Sequence, residues 1–425
     1  MTAGSPSTVS GLVDHLFRRK AGQMVSALTR LLGPANLELA EEVVQDALLK
    51  ALQTWPANGI PDNPGGWLVR VAKNRAIDRL RREDRYAEKL QVLTQQTSPD
   101  TATDWTSWGS EDDELQMLLL CCHPALSREG RGALTLKTVG GFSVAEISRA
   151  FLTRKTTVQQ RLVRAKRMLK KDSITFDVPT DDDLLTRIES GLEVLYLMFN
   201  EGYGAYQGDN LVRADLCQEA IRLTTILAEH PETARPEVHA LLALMLLQAS
   251  RLPARLDADG AVALLADQNR ELWDRSMIGA GFLYLEKSTG GSSMTTYHLQ
   301  AGIAAVHAAA ASHEETDWER VLELYDRLFV LNPSPVVWLN RAVALAMVEG
   351  PAAGVKALRD VAEHAALQDY YLLPATFGDF FARMNEWDAA AKHLTRALQL
   401  PCSEPEKRFL EKQLAACRKP NTGAV

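Results

Sequence analysis

The chain has 425 residues, 46% of them apolar and 24% charged, a length that suggests two to four domains with cores of their own. Its longest uncharged apolar stretch, Leu299 to Ser312, is too short for a membrane span and contains His307; five cysteines without a repeating spacing exclude a disulfide framework. Charge is shared unevenly: residues 1–172 carry 25 Lys or Arg against 19 Asp or Glu, and the remainder carries 22 against 35, so a basic part suited to a polyanion precedes an acidic part with another task.

The opening MTAGSPSTVSG has no basic segment followed by an apolar one, so a cytoplasmic location and no membrane association are expected. Leu12 to Leu32 read as one or two helices, with Leu16, Phe17, Val25, Leu28, Leu31 and Leu32 inward and Gly33-Pro34 as the stop. The next helix, Asn36 to Trp55, begins at a capping Asn with Glu38, Glu41 and Glu42 at the positive end of its dipole. Its core stripe leaves Glu41, Gln45, Asp46, Leu49 and Lys50 on other faces. Pro56 to Gly66 is dense in turn formers and reads as a loop. From Trp67 to about Leu90 the spacing predicts a helix packing Leu68, Val71, Ala72, Ile77 and Leu80. Arg70, Lys73, Asn74, Arg75, Arg79, Arg81 and Arg82 form its outer cationic strip. Such a strip beside an aromatic suits phosphates and unstacked bases, although Trp67 reads equally well as a core aromatic.

Residues 91–111 are polar and rich in Pro, Ser, Thr and Asp, as a linker is. Helices over Glu111–Cys122 and Ser127–Val139 follow. Cys121, Cys122 and His123 lack a second ligand pair and read as core residues; no metal and no cofactor are expected. GFSVAEISRAFLTRKTTVQQRLVRAKRML, Gly141 to Leu169, then predicts a short helix capped by Ser143, a turn, and a longer helix with Val158, Leu162, Ala165 and Leu169 along one side. Its other side is basic and amide-bearing. That is a helix-turn-helix arrangement, whose second helix fits the DNA major groove; a solvated bundle surface is the plainer reading of the same helix.

Two basic helical modules, one with NPGGWLVRVAKNRAIDRLRRE and one with LSREGRGALTLKTVGGFSVAEISRAFLTRKTTVQQRLVRAKRML, stand in this order with a linker between them. Together they resemble regions 2 and 4 of bacterial extracytoplasmic-function sigma factors over roughly residues 10–172. The resemblance implies a domain at 10–90, a flexible linker at 91–111 and a second domain at 112–172. It implies that Glu41, Gln45, Asp46 and Leu49 dock on the β′ clamp helices of core RNA polymerase, with the β flap a further contact. Asn63, Trp67, Lys73, Asn74, Arg75 and Arg79 would melt and read the minus-10 element of promoter DNA. Thr156, Thr157, Gln159, Gln160, Arg161 and Arg164 would read the minus-35 element as duplex. Gly65 and Gly66 stand where many relatives carry bulkier residues before the tryptophan, which leaves the preferred base open.

From Asp181 the pattern is helical throughout. Gly378, Phe381, Ala390 and Ala397 fall at tetratricopeptide-like positions with a drifting spacing, and an α-solenoid of helix pairs over 180–417 is expected. This half resembles the long extension of a tetratricopeptide-bearing sigma-factor subgroup. The whole chain is thus expected to be all-α. An acidic solenoid could bind a protein partner or fold back on the basic modules and restrain them. Polar residues such as Asp267, Asn269, Arg270, Gln300 and His307 are read first as helix caps and interhelix hydrogen bonds, with a ligand pocket as the alternative. No nucleophile and base stand at a recognisable spacing, and no phosphate-binding GxxxxGK[ST] occurs, so no enzyme is expected. The rival functional reading is a polymerase-independent helix-turn-helix regulator with a repeat-type sensor.

Overall fold

The structure is a computed structural model that describes residues 20–82, 111–151, 153–171, 174–204, 214–291 and 293–418. Among these residues the chain is helical, and the β pairing consists of one antiparallel bridge between Leu256 and Val262. The expected helix start at 12–19, the helix end at 83–90, the linker at 91–110 and the turn after Gly204 lie outside the described residues. By contacts the chain divides into two units, Met1–Leu195 and Tyr196–Val425.

The first unit contains α1 (20–32), α2 (Leu37–Asn58), α3 (Pro64–Arg82), α4 (Glu111–Cys121), α5 (Arg128–Thr138), α6 (Val144–Ala150), α7 (Lys155–Leu169) and the start of α8 (Asp181–Tyr203). Gly33, at φ +81°, breaks the chain between α1 and α2. Asn36 does not cap α2 with its side chain; its Nδ2 donates instead to the Leu32 carbonyl at 2.6 Å, satisfying an end group of α1. The loop predicted from Pro56 to Gly66 is shorter than expected. Helix α2 runs through Pro56 to Asn58 and stops at Gly59, at φ +80°, while α3 begins at Pro64. Trp55, buried just before the proline, meets Trp67 edge-on at 5.6 Å between ring centroids and anchors that last turn against α3.

The two basic modules pack on one another within this unit rather than standing apart. Gly22 of α1 lies so close to the end of α5 that a Cβ would come 2.3 Å from the Val139 carbonyl oxygen. Asp113 of α4, buried, pairs with Arg30 of α1 at 2.7 Å. Gln23 Nε2 donates to Glu114 Oε2 at 3.3 Å. The acidic pair that opens α4 is therefore more than a dipole complement, since it fastens α1 to α4. Cys121 and Cys122 are buried beneath it, the Cys121 sulfur 3.1 Å from the Thr138 hydroxyl. Burial pushes the Cys122 thiol up to about 12, so it stays protonated and behaves as a small hydrophobe.

The second unit carries α8 onward to α9 (Ala214–Glu229), α10 (Pro236–Ala249), α11 (Arg275–Lys287), α12 (Thr296–Ala309), α13 (Trp318–Leu331), α14 (Pro335–Val348), α15 (Pro351–Arg359), α16 (Leu372–Arg383), α17 (Trp387–Ala397) and α18 (Glu404–Arg418). Helix α10, apolar on nearly every side, is the centre on which α9, α11 and α12 pack. From α12 to α18 each helix packs on the next. Gly378 supplies the close approach its small size suggested: a Cβ there would meet Leu394 Cγ at 2.8 Å. The run of helix pairs is interrupted at residues 250–274, where the longest regular pieces are single 3-10 turns. Lys412 of α18 reaches back to this segment and pairs with Asp257 at 2.7 Å and Asp259 at 2.8 Å.

His307, near the end of α12, is 8% exposed, and burial together with Arg251 and Arg270 pushes its imidazole down to about 3. An unfolded histidine titrates near 6.5, so the folded value is depressed. The folded state is then at full strength above about 6.5 and loses stability as pH falls from there toward 3. At pH 5 the loss is about 2 kcal/mol. Urea unfolding at pH 7.5 and pH 5 should show this difference, and His307→Gln should remove most of it.

Candidate nucleic-acid interface

Helix α6 starts on a reciprocal pair: Ser143 Oγ accepts from the Glu146 amide at 3.2 Å, and Glu146 Oε2 accepts from the Ser143 amide at 2.8 Å. Ser143→Ala should therefore cost about 1 kcal/mol, measurable as a lower urea midpoint at unchanged slope. The turn after α6 is closed by Ser148, whose hydroxyl donates to the Thr153 carbonyl at 2.5 Å while its own carbonyl accepts from the Thr153 amide at 3.0 Å. Phe151 presses on Gly132 of α5, where a Cβ would sit 3.1 Å from the ring. The angle between α6 and α7 is thus fixed by packing rather than by the turn alone.

On α7 the four predicted core residues, Val158, Leu162, Ala165 and Leu169, are all buried. Thr156, Gln159, Gln160 and Arg164 are exposed, as is Arg167, and Thr157 and Arg161 are half-buried. Thr156, Gln160, Arg164 and Arg167 follow helical spacing along one outer row. Gln and Arg in such a row can make paired hydrogen bonds to adenine and guanine edges. Val163, 62% exposed beside Arg164, belongs to this face although its apolar character hid it in the sequence. An exposed valine there can meet a thymine methyl group.

Helix α3 carries the second cluster. Asn63 stands before it, and its Oδ1 accepts from the Gly66 amide at 2.8 Å. A Cβ on Gly66 would press to 2.9 Å from the Asn63 amide nitrogen, so the glycine that departs from the family pattern makes room for this cap. Asn74 and Arg75 are exposed; Arg70 and Arg81 stand in line with Asn74, and Arg75 lies on a neighbouring face. Trp67 is half-buried against Trp55, as the core reading expects, with the rest of its side chain open to solvent. Two residues depart from the expected strip. Lys73 is turned inward at 5% exposure, where burial lowers its pKa, because its position falls on the core side of α3 with Ala72 and Ala76. Arg79 pairs with Glu42 of α2 at 2.5 Å. The exposed arginines of the expected strip are therefore Arg70, Arg75 and Arg81, on two adjoining faces of α3.

The expected polymerase face on α2 divides in two. Gln45 is exposed and Leu49 is 56% exposed, and Leu52 at 49% widens the patch beyond the expected residues. Asp46 is half-buried. Glu41 differs: at 9% exposure it is held by Lys166 from the last turns of α7, and its Oε1 has no hydrogen-bond partner. One turn away Lys170 pairs with Glu38 at 2.6 Å. Helix α7 thus rests its C-terminal end on the acidic start of α2.

These elements coincide with known families. Residues 16–86 match sigma-70 region 2, residues 116–169 match sigma-70 region 4, and residues 187–289 match a family of unknown function, DUF6596. The chain belongs to the extracytoplasmic-function-like sigma factors with a long C-terminal extension. An uncharacterized protein of Rhizobium meliloti (strain 1021) is 38% identical over 412 residues, covering 96% of each chain. No solved structure matches. The sigma factor carries a promoter-recognition role through regions 2 and 4, and core RNA polymerase and promoter DNA are the partners those regions imply. Sigma-factor families are non-enzymatic DNA-binding regulators. No described helix is long and apolar enough to cross a membrane.

Proposed function

We propose that this sigma factor docks on core polymerase through α2, opens the minus-10 element with α3 and reads the minus-35 element as duplex with α7. The observation that carries the reading is the outer row of α7. Thr156, Gln160, Arg164 and Arg167 stand in solvent on a helix whose opposite side is wholly buried. Gln45, Leu49 and Leu52 give α2 a mixed apolar and amide surface suited to the β′ clamp helices, and region 4 is the natural partner of the β flap. Arg70, Arg75 and Arg81 supply phosphate contacts along α3, with Trp67 and Asn63 at the end where a base would leave the stack. Bases out of the stack need an aromatic and polar groups to receive them, whereas the duplex reader needs a helix alone. In the acidic second half we propose a tetratricopeptide-like solenoid that governs in cis when the two regions work.

In-vitro transcription with purified core polymerase tests the reading. The full-length chain should start transcription at its own promoter only with core polymerase present, and should bind the duplex weakly alone. Tight duplex binding without initiation at any promoter would favour the polymerase-independent regulator. Truncation after residue 180 tests the extension: a changed initiation rate, raised or abolished, supports control in cis, and an unchanged one removes it.

A further inference from the structure

The second unit contains a cavity of about 460 Å³ between α12, α13, α14, α16 and the segment 264–266. That is the size of a small-molecule site rather than of a packing defect. One wall is apolar, formed by Val321, Val343, Ala344 and Met347. The other is nitrogen-rich. His307 and His313 each lie 5.2 Å, ring to ring, from Trp318, one on either contact. His307 Nδ1, His313 Nδ1 and Trp318 Nε1 are all buried without a hydrogen-bond partner. Native proteins leave few such atoms, and each costs about 1–3 kcal/mol. All three atoms sit behind the cavity surface, in residues that line it.

The charge around the cavity selects the kind of partner. Arg270 backs the wall, donating to the carbonyls of His307 and Ala310 at 2.7 Å each, with its Nη2 unpartnered. At the rim Arg383 is held loosely, 3.9 Å from Asp379 and 3.4 Å from the Ala346 carbonyl. A guanidinium so weakly engaged has donors for a planar oxyanion. A cation would find Asp379 at the rim but also Arg383 beside it, with Arg270 behind the wall. A phosphate dianion would place two charges beside Asp379 where one loose guanidinium is available, so a single negative charge fits best.

We propose that this cavity binds a small amphipathic carboxylate, with the carboxylate on the Arg383 guanidinium at the rim and the hydrocarbon body against Val321, Val343 and Met347. The site lies wholly within the C-terminal half, so its occupancy is read without any transcription assay and stands apart from the promoter-recognition reading.

Calorimetric titration of the full-length chain tests it, using octanoate and 4-phenylbutyrate as probes and 4-phenylbutanamide and 4-phenylbutylamine as uncharged and cationic controls. At least one acid should bind saturably at one site, with the amide and the amine at least tenfold weaker. Arg383→Gln, an exposed change, should weaken the acid at least tenfold, and Arg383→Lys should restore part of it. Circular dichroism and melting curves establish that each variant is folded. Absence of saturable binding by both acids, equal binding of the amide, or acid binding untouched by Arg383→Gln in a folded protein would each overturn the proposal.

Discussion

Replacing Arg164 by alanine lowers initiation at the cognate promoter by about five- to 150-fold, the equivalent of 1–3 kcal/mol for one lost base contact. The residue stands in the exposed row of α7, two turns beyond Thr156, on a helix whose buried side is complete without it. Its removal should therefore leave the melting temperature nearly unchanged, since surface substitutions away from caps and cores fall within about 0.5 kcal/mol. The base-specific nature of the loss is visible in a second comparison. A promoter altered at the base read by Arg164 should be affected far less by the mutation, because the contact is already absent there. Arg167→Ala, one turn on, serves as the contrast: a phosphate contact weakens all promoters alike and reduces the salt slope by about one. Initiation by the Arg164 variant at wild-type level would remove α7 as the groove reader.

The helix-turn-helix was legible because each of its signals is local. Ser143 caps three residues ahead, Val158 to Leu169 repeat at helical spacing, and the structure keeps every one of these positions. The end of α2 was misread because Pro56 is a strong local stop signal. Trp55, whose partner Trp67 lies beyond the loop, holds the last turn through a contact that no local window contains. Lys73 was misread for a related reason, since in a helix crowded with arginines any Lys looks like part of the outer strip, and the core side shows only when α2 is in place. Asp113 and Glu114 hold Arg30 and Gln23 of another helix, a task that no local pattern marks. Of the polar residues for which the sequence offered a ligand pocket as the alternative, such as Asp267, Asn269, Arg270, Gln300 and His307, only His307 lines the cavity in the second unit. Its other walls come from α13, α14 and α16, up to 76 residues further along the chain.

The contact between α7 and α2 has the opposite sign from a promoter contact. Lys166→Ala combined with Lys170→Ala should raise the apparent affinity for core polymerase, by about tenfold or more. In the closed unit Lys166 covers Glu41, a residue of the proposed docking face, so a polymerase that uses Glu41 must first displace Lys166. Apparent affinity is the intrinsic affinity reduced by the fraction of molecules already open. Removing Lys166 strands a carboxylate that is 11% exposed and already short of one hydrogen bond, which costs the closed form at least about 1 kcal/mol. Lys170 adds less, because its pair with Glu38 is half-exposed and screened by salt. Opening is therefore favoured by roughly tenfold from these two changes, against the remaining hold of the Arg30–Asp113 pair and the Gly22 contact. Glu41→Gln separates the two roles of this carboxylate. It loosens the closed form as the lysine variant does, but it also removes a docking charge, so polymerase affinity should fall or stay level instead of rising. Fluorescence anisotropy with labelled core polymerase reads both variants on one scale. Equal affinities for the wild type and the double lysine variant would mean that the α7–α2 contact does not compete with docking.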